Sequence, residues 1–206
     1  SFLDIIARQV LQQRRTYDGK LPLTFMNSFR TSADTMAALE RYEDLAVDGL
    51  PLEFLQNKEP KLLASDLSPV AWPIDPELEW CPPGHGDIYT ALLDTGLLET
   101  LLEAGYRHVF VSNSDNLGAV ADPRVAGWFA ASGAPFAIEA VRRTASDRKG
   151  GHFAVRKADG RIVLRETAQT LAEDREALAD LSRHQYMSTN NLWFDVRAMV
   201  QVLDQR

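Results

Sequence analysis

The sequence predicts an α/β protein with a largely parallel central sheet. Short apolar runs with strand character alternate with amphipathic helical patterns, and this alternation is typical of helices packed on a mainly parallel sheet. A length of 206 residues suits one domain, and 45% hydrophobic residues are enough for a large core. Neither an internal repeat nor a low-complexity tract interrupts the alternation.

The helices are predicted from apolar residues that recur every three to four positions. In chain order they cover residues 2–15, 31–42, 88–104, 121–129 and 198–203. Ser1 is the expected N-cap of the first helix, and Thr31 or Ser32 that of the second. The third is expected to break near Gly96 and to stop at Gly105, because glycine disfavours helix interiors and is common just after helix ends.

Strands are predicted where short runs of apolar and β-branched residues are bounded by turn formers. In chain order they cover residues 21–26, 52–56, 107–112, 136–141, 152–156 and 161–166. The last two are expected to form a hairpin around Ala158-Asp-Gly160. Residues 69–83 are rich in proline and are predicted to form a long loop.

Composition and motif content exclude several classes of function. With 22 basic and 29 acidic residues the net charge is −7, so the surface should repel nucleic acid and anionic membranes, and neither is an expected partner. No apolar run approaches the roughly 20 residues of a membrane span. A single cysteine, Cys81, cannot form an internal disulfide, which favours the cytoplasm. No P-loop, serine elbow or zinc-ligand spacing is present.

Polar clusters follow several predicted strands, where ligands bind in open α/β sheets. They are Asn27-Ser28, Gln56-Asn57-Lys58 and Asn113-Ser-Asp-Asn116. A single cluster of this kind is more often a plain turn. Asp115, flanked by two asparagines, suits a Mg²⁺ ion that bridges phosphates, since Mg²⁺ takes one or two carboxylates plus substrate oxygens. An ordinary Asx turn is the alternative for this residue.

Gly84-His-Gly-Asp87 precedes the helix that begins at Ile88. Glycines at 84 and 86 would allow positive φ and close backbone approach to a ligand, and the helix N-terminus would favour an anion. The turn therefore suits a phosphate or a base edge, with His85 as a donor. The alternative is that Asp87 simply caps the helix and the glycines relieve crowding.

Two further segments offer polar groups to a ligand. Arg142-Arg143, Arg148-Lys149 and Gly150-Gly151 form a cationic, glycine-containing segment that would suit a sugar phosphate, although such loops are usually solvated surface. Ser188-Thr-Asn-Asn-Leu-Trp193 places two amides beside an apolar run, and amides pair well with sugar hydroxyls.

In their order along the chain these clusters resemble one family. The segments concerned are Pro22–Thr31, Phe54–Lys61, Trp80–Tyr89, Val109–Gly118, Lys149–Gly151 and Thr189–Trp193. The ordered set covers nearly the whole chain and resembles the eukaryote-like family of UTP–glucose-1-phosphate uridylyltransferases, also named UDP-glucose pyrophosphorylases. The resemblance implies a nucleotide-diphospho-sugar transferase fold, in which a Rossmann-like, mainly parallel mixed sheet is flanked by helices.

The resemblance also implies roles for individual residues. Gln56 and Gly84 would contact the uracil, His85 the glucose 1-phosphate, and Asn113 the sugar. Asp115 would hold Mg²⁺ beside the UTP phosphates. The remaining hexose contacts that the family implies are Gly151, Glu166, Asn190 and Asn191.

The implied reaction joins UTP and glucose 1-phosphate to give UDP-glucose and pyrophosphate. A glucose 1-phosphate oxygen attacks the α-phosphorus of UTP without a covalent enzyme intermediate, so alignment and charge neutralisation would supply the catalysis. A glycine-rich loop that ends in a lysine, a second phosphate-contacting lysine and a C-terminal β-helix domain complete the family pattern outside residues 1–206. We therefore expect this chain to be the central part of one catalytic domain, truncated at both ends.

By this resemblance the phosphate-contacting lysines would lie outside the chain, so no catalytic residue is expected within it, and little or no activity is expected of the chain alone. A missing neighbour strand would leave an open sheet edge, and self-association through it is expected.

Other functions stay open at this point. A UDP-N-acetylhexosamine pyrophosphorylase or a broad UDP-sugar pyrophosphorylase shares the Pro-Pro-Gly turn and the Asp-Asn pair, although Gly84-His-Gly-Asp87 fits the glucose enzyme better. A non-catalytic nucleotide-sugar binding module belongs to a different class. A purely structural α/β domain would leave the polar clusters at successive strand ends unexplained.

Overall fold

The computed structural model describes residues 1–147 and 150–203. Its helices, in chain order, are α1 (Phe2–Tyr17), α2 (Ser32–Leu39), α3 (Ile88–Asp94), α4 (Leu97–Glu103), α5 (Pro123–Ser132), α6 (Arg175–Ala179) and α7 (Val196–Leu203). Its strands are β1 (Phe25–Asn27), β2 (Glu53–Leu55), β3 (Glu59–Pro60), β4 (Trp80–Cys81), β5 (His108–Val111), β6 (Phe136–Arg142), β7 (His152–Val155), β8 (Ile162–Arg165) and β9 (Tyr186–Asp195). Every helix in these residues is too short or too polar to span a lipid bilayer.

The chain forms two compact units. The first contains Ser1–Arg107 and the C-terminal segment that begins at Val196, and the second contains His108–Asp195. All predicted helices and strands have a counterpart in one of these units, with boundaries shifted by a few residues. The break at Gly96 is confirmed, because that glycine adopts a left-handed φ of 69° between α3 and α4.

In the first unit, β1 and β2 form a parallel pair in which Met26 lies opposite Phe54. Ala7 of α1 and Leu39 of α2 are buried together with Leu45, and they form the local core. The predicted cap of α1 is confirmed, since the Ser1 hydroxyl accepts a hydrogen bond from the Asp4 amide at 3.3 Å.

The proline-rich segment is more ordered than predicted. Residues 69–83 contain a 3₁₀ turn at Pro76–Glu79, followed by β4, which pairs antiparallel with β3. The loop prediction holds for most of the segment and is wrong at Trp80 and Cys81. These two residues pair with a strand about twenty residues earlier in the chain, a pairing that local composition does not reveal.

The second unit contains a five-stranded sheet in the order β5-β9-β7-β8, with β6 paired to β9. Every pairing in this sheet is antiparallel. The parallel arrangement predicted from the alternation of helices and strands is found in the described residues for β1 and β2 alone. The difference arises from β9, a ten-residue strand that the apolar pattern did not predict and that runs against each of its neighbours.

The two edges of strand β9 are paired differently. The first edge pairs with β6 over nearly its whole length. The other edge pairs with β7 at Met187 and with β5 from Leu192 to Asp195, so neither strand covers the residues between. The register with β6 also shifts there, because Ile138 lies opposite Leu192 but Ala140 lies opposite Ser188. Three residues of β9 therefore face a single residue of β6, which is a β-bulge.

Candidate functional site

The glycine turn of the first unit is joined to the end of β2. Gly84 has φ 102° and ψ −174°, a conformation that is essentially restricted to glycine. Its N–H donates to Oε1 of Gln56 at 3.1 Å, and the N–H of Gln56 donates to the carbonyl of Asn27 at 2.8 Å. Two residues predicted to share a ligand contact, Gln56 and Gly84, are thus brought together by a direct hydrogen bond.

Asp87 holds this turn against the neighbouring strand end. Its carboxylate accepts hydrogen bonds from the backbone N–H and side-chain amide of Asn57, at 2.7 and 3.1 Å, and from the hydroxyl of Thr90. Asp87 does stand at the N-cap position of α3, but its side chain makes no capping bond to the helix backbone and contacts Asn57 and Thr90 instead. Burial opposes ionisation, but the bonds from Thr90 and Asn57 hold the pKa of Asp87 below its usual value.

The two glycines of the turn are not equivalent. Gly84 has a positive φ, whereas Gly86 does not, so the prediction of positive φ at both positions is wrong at Gly86. His85 lies between them with its side chain exposed. The turn therefore presents one imidazole to solvent on a backbone fixed by Gln56 and by Asp87.

The first of the three strand-end clusters is structural. Asn27 is buried, its Nδ2 donates to Oε2 of Glu53 at 2.8 Å, and its Oδ1 accepts from the hydroxyl of Thr35 at 3.2 Å. Ser28 bonds with Thr31 at the start of α2. The plain turn interpretation is therefore the better one for Asn27-Ser28.

In the second unit, the loop after β5 reaches the bulge of β9. The Asn190 amide donates to Oδ1 of Asn113 at 2.6 Å, and the Asn116 amide donates to Oδ1 of Asn191 at 3.4 Å. Asn190 adopts a left-handed φ of 59°, which is uncommon for a residue other than glycine. The predicted residues Asn113, Asn190 and Asn191 are therefore neighbours at the place where β9 changes partner.

The side-chain amides of the adjacent residues Asn190 and Asn191 differ in their hydrogen bonding. Asn191 is 6% exposed, its Nδ2 donates to Oε2 of Glu139 at 2.9 Å, and its Oδ1 accepts from Asn116. Its amide is therefore engaged at both ends. Asn190 Oδ1 makes no hydrogen bond within the described part of the chain. A ligand would find the Asn190 amide more accessible than that of Asn191.

Gly151 and Glu166 meet at the hairpin of β7 and β8. The carbonyl of Gly151 accepts the N–H of Ser188 at 2.9 Å, which places this glycine beside the bulge. A Cβ at position 151 would lie 2.8 Å from Cδ of Glu166 and 3.0 Å from Cδ1 of Leu164. The absence of a side chain at Gly151 therefore creates the space that the Glu166 carboxylate fills.

Asp115 is exposed in the turn closed by the hydrogen bond from the Asn116 N–H to the Asn113 carbonyl, 3.1 Å long. Among the described residues, no three histidine, cysteine, aspartate or glutamate side chains are grouped as a metal site. A single exposed carboxylate nevertheless fits Mg²⁺, because that ion binds one or two carboxylates and takes its other ligands from phosphate oxygens and water.

The cationic segment predicted as a sugar-phosphate contact is in part structural. Arg143 is 8% exposed, and its guanidinium donates to the carbonyls of Asp147, Leu178 and His184 at 2.9, 3.1 and 3.1 Å. It joins α6 to two loop segments of the second unit, so its role is at least in part to hold the fold together. Arg148 and Lys149 lie outside the described residues.

Glu139 is the residue that sequence reasoning missed. It lies opposite the bulge, and its two carboxylate oxygens accept from Asn191 and, at 2.8 Å, from the indole N–H of Trp193. It is the one charged residue in the run Phe136-Ala-Ile-Glu-Ala-Val141, and that isolation within a predicted strand was the available signal.

Each unit by itself carries polar groups that a ligand could contact. The first has a glycine turn with an exposed histidine, and the second has a bulge lined by asparagines. The whole chain, residues 1–206, matches the family model described as UTP–glucose-1-phosphate uridylyltransferase. The chain therefore belongs to the UTP–glucose-1-phosphate uridylyltransferase family.

Individual relatives agree with this assignment. The chain is 36% identical over 99% of its length to the probable UTP–glucose-1-phosphate uridylyltransferase of Schizosaccharomyces pombe, and 34% identical over its whole length to UTP–glucose-1-phosphate uridylyltransferase 2 of Dictyostelium discoideum. It covers 40% of each of these two relatives.

Solved structures are similar over the whole chain. The UDP-glucose phosphorylase of Trypanosoma brucei has a TM-score of 0.91 at 39% identity, and the chain covers 45% of it. A mutant UDP-glucose pyrophosphorylase of Leishmania major in complex with UDP-Glc has a TM-score of 0.88 at 40% identity, with the same coverage.

Proposed function

We propose that this chain carries the base-binding and hexose-binding parts of a uridylyltransferase that forms UDP-glucose and pyrophosphate from UTP and glucose 1-phosphate. The observation that carries the proposal is the β9 bulge, where Asn113 and Asn190 meet beside Gly151 and Glu166. Amides and a carboxylate are the groups that pair with several hexose hydroxyls at once. Related structures that contain UDP-glucose support the same ligand.

The uracil contact follows from the orientation of Gln56. Its Oε1 already accepts the Gly84 N–H, so its Nε2 remains as a donor. Uracil carries two carbonyl oxygens, and a fixed amide donor suits one of them. Gly84, with no side chain, lets the base approach the backbone. His85, exposed beside this turn, would donate to the phosphate of glucose 1-phosphate.

Catalysis in this proposal depends on alignment. An oxygen of glucose 1-phosphate displaces pyrophosphate from the α-phosphorus of UTP, and no covalent enzyme intermediate is needed. Asp115 would hold a Mg²⁺ ion, which supplies charge neutralisation at the phosphates. The chain's own residues bind and orient: Gln56 and Gly84 the base, and Asn113, Asn190 and Glu166 the hexose.

The finer features of the fold are part of the proposal. Residues 1–206 would form the central part of one catalytic domain with the nucleotide-diphospho-sugar transferase fold, in which the parallel pair of β1 and β2 belongs to a larger, mainly parallel sheet. The cytoplasm is proposed as its location on the evidence of the single cysteine, Cys81. Self-association is proposed as well, and light scattering that gives one monomeric mass would contradict it.

Replacing His85 by alanine is expected to weaken binding of UDP-glucose by about tenfold. The exposed His85 side chain would no longer donate a hydrogen bond to the phosphate. Isothermal calorimetry of the chain with UDP-glucose, UDP-N-acetylglucosamine and UDP measures this loss. We expect the parent chain to prefer UDP-glucose. If the chain bound neither sugar nucleotide, the proposed function would be refuted. If it preferred UDP-N-acetylglucosamine, the function would instead be that of a UDP-N-acetylhexosamine pyrophosphorylase.

Gly151→Ala tests the hexose end separately. The added methyl group would displace the Glu166 carboxylate, which is the far end of a flexible side chain and can move aside. We therefore expect unfolding free energy to change by less than about 1 kcal/mol while affinity for UDP-glucose falls severalfold and affinity for UDP stays the same. Glu166→Ala is the matched variant, and the two losses should not add. If the losses of affinity in the double variant were additive, Gly151 would act independently of Glu166.

A further inference from the structure

We propose that Glu139 is a positioning residue for the hexose. Glu139 holds the β9 bulge in the shape that directs the Asn190 amide to the ligand. The inference rests on the proposed function, in which Asn190 contacts the sugar. Glu139 itself contacts no ligand in this account, and it acts through Thr189, Asn191 and Trp193.

The bulge is attached to Glu139 at three points. One carboxylate oxygen accepts from the Asn191 amide at 2.9 Å, and the other accepts from the Trp193 indole at 2.8 Å. The Glu139 backbone carbonyl accepts from the Thr189 hydroxyl at 3.0 Å. The residues on both sides of Asn190 are therefore held by one residue of β6, and Trp193 continues the attachment into the buried part of β9.

Asn190 needs this support because its backbone is in an unfavourable conformation. A left-handed φ of 59° is uncommon outside glycine, although asparagine tolerates it better than most residues, and it persists when the surroundings fix it. Two N–H groups of the bulge are bonded to neighbouring side chains. The Asn190 N–H donates to the Ser188 hydroxyl at 3.0 Å, and the Asn191 N–H donates to the Thr189 hydroxyl at 3.3 Å. The Thr189 hydroxyl is itself bonded to Glu139.

Glutamine at position 139 provides a sharp control. A carboxylate accepts from both Asn191 and Trp193, whereas glutamine offers one acceptor and one donor. Rotation of the Asn191 and Asn116 side-chain amides by 180° exchanges their donor and acceptor atoms. Asn191 Oδ1 then accepts from the new glutamine donor, and Asn116 Oδ1 accepts from Asn191 Nδ2. Every bond of the network is therefore kept. Glu139→Gln thus removes the charge and keeps the attachment, whereas Glu139→Ala removes the attachment.

Calorimetry of residues 1–206 with UDP-glucose and with UDP tests the inference. We expect Glu139→Ala to lower affinity for UDP-glucose by about tenfold with affinity for UDP unchanged, and Glu139→Gln to stay within about threefold of the parent. Asn190→Ala should show a similar loss. The double variant Glu139→Ala/Asn190→Ala should be no worse than Asn190→Ala alone, because Glu139 acts through Asn190.

Two results would overturn the inference. Losses that add in the double variant would mean that Glu139 acts independently of Asn190. A Gln variant as impaired as the Ala variant would mean that the charge of Glu139 acts directly. Where Glu139→Ala fails to fold, Glu139→Asp replaces it, since it keeps the charge and shortens the reach to Asn191 and Trp193.

A measurement without ligand separates this inference from the proposed function. Amide hydrogen exchange should show Asn190 and Asn191 protected in the parent and in Glu139→Gln, and faster exchange in Glu139→Ala. Unchanged protection in Glu139→Ala would overturn the positioning role whatever the ligand is. A parent chain that binds UDP-glucose no better than UDP would refute the proposed hexose site, while the exchange result would still decide whether Glu139 holds the bulge.

Discussion

Acidification from pH 7 to pH 5 is expected to remove about 2 kcal/mol of folding free energy through His152. The side chain of His152 is completely buried, and its ring centre lies 4.1 Å from that of His184. Among the described residues, neither of its ring nitrogens has a hydrogen-bond partner. Burial, followed by the positive charges of His184, Arg143 and Arg165, lowers the pKa of His152 from 6.5 to about 4.

The sign follows from the two states of the chain. In the unfolded chain His152 takes up a proton as the pH falls through 6.5, whereas in the folded chain it does so only near pH 4. Between these pKa values the unfolded state binds more protons, so the folding free energy is lost as the pH falls. The loss is complete below about pH 4. Burial also lowers the pKa of His184, which adds to the loss in the same direction.

Urea denaturation at pH 7, 6 and 5 measures this effect. His152→Leu, which replaces the ring by an apolar side chain of similar volume, should keep the stability at pH 7 and lose less on acidification. His85→Leu is the matched control, because His85 is exposed, and it should keep the acid dependence of the parent. Equal acid losses in the parent and in His152→Leu would contradict the assignment to His152.

Gly84→Ala is expected to destabilise the first unit by about 1–3 kcal/mol and to abolish measurable binding of UDP. The cause is the backbone alone, since a Cβ at position 84 would meet no atom within 4 Å. At φ 102° and ψ −174° an alanine is strained, and relief of that strain would move the N–H away from Gln56.

Gly86→Ala is the matched control, two residues along the same turn. A Cβ at position 86 would also meet nothing within 4 Å, but Gly86 has no positive φ, so alanine should change the unfolding free energy by less than about 0.5 kcal/mol. Urea denaturation and calorimetry with UDP compare the two variants. Similar effects of both substitutions would show that the positive φ of Gly84 does not determine the turn.

The local structure was accessible from the sequence because its causes are local. The break between α3 and α4 follows from Gly96, and the hairpin of β7 and β8 follows from two strand patterns around Asp159-Gly160. The ordered polar clusters, taken together, were also sufficient to indicate the family that the comparisons then established.

Features that depend on distant partners were not accessible in this way. The pairing of β4 with β3 and the antiparallel direction of β9 are set by contacts across many residues, and composition carries no signal for them. Strand β9 was not predicted, because its bulge interrupts the strand pattern at Asn190 and Asn191.

Local signals in the chain were enough to indicate the family, the places of most helices and strands, and the candidate ligand residues. Glycine turns, asparagine clusters and apolar periodicity all act within a few residues. The tertiary structure decided which candidates are available. It buries Asn27 and Arg143 in structural hydrogen bonds, divides the roles of Asn190 and Asn191, and brings in Glu139. The reason is physical: whether a polar side chain is free for a ligand depends on the partners that folding places around it.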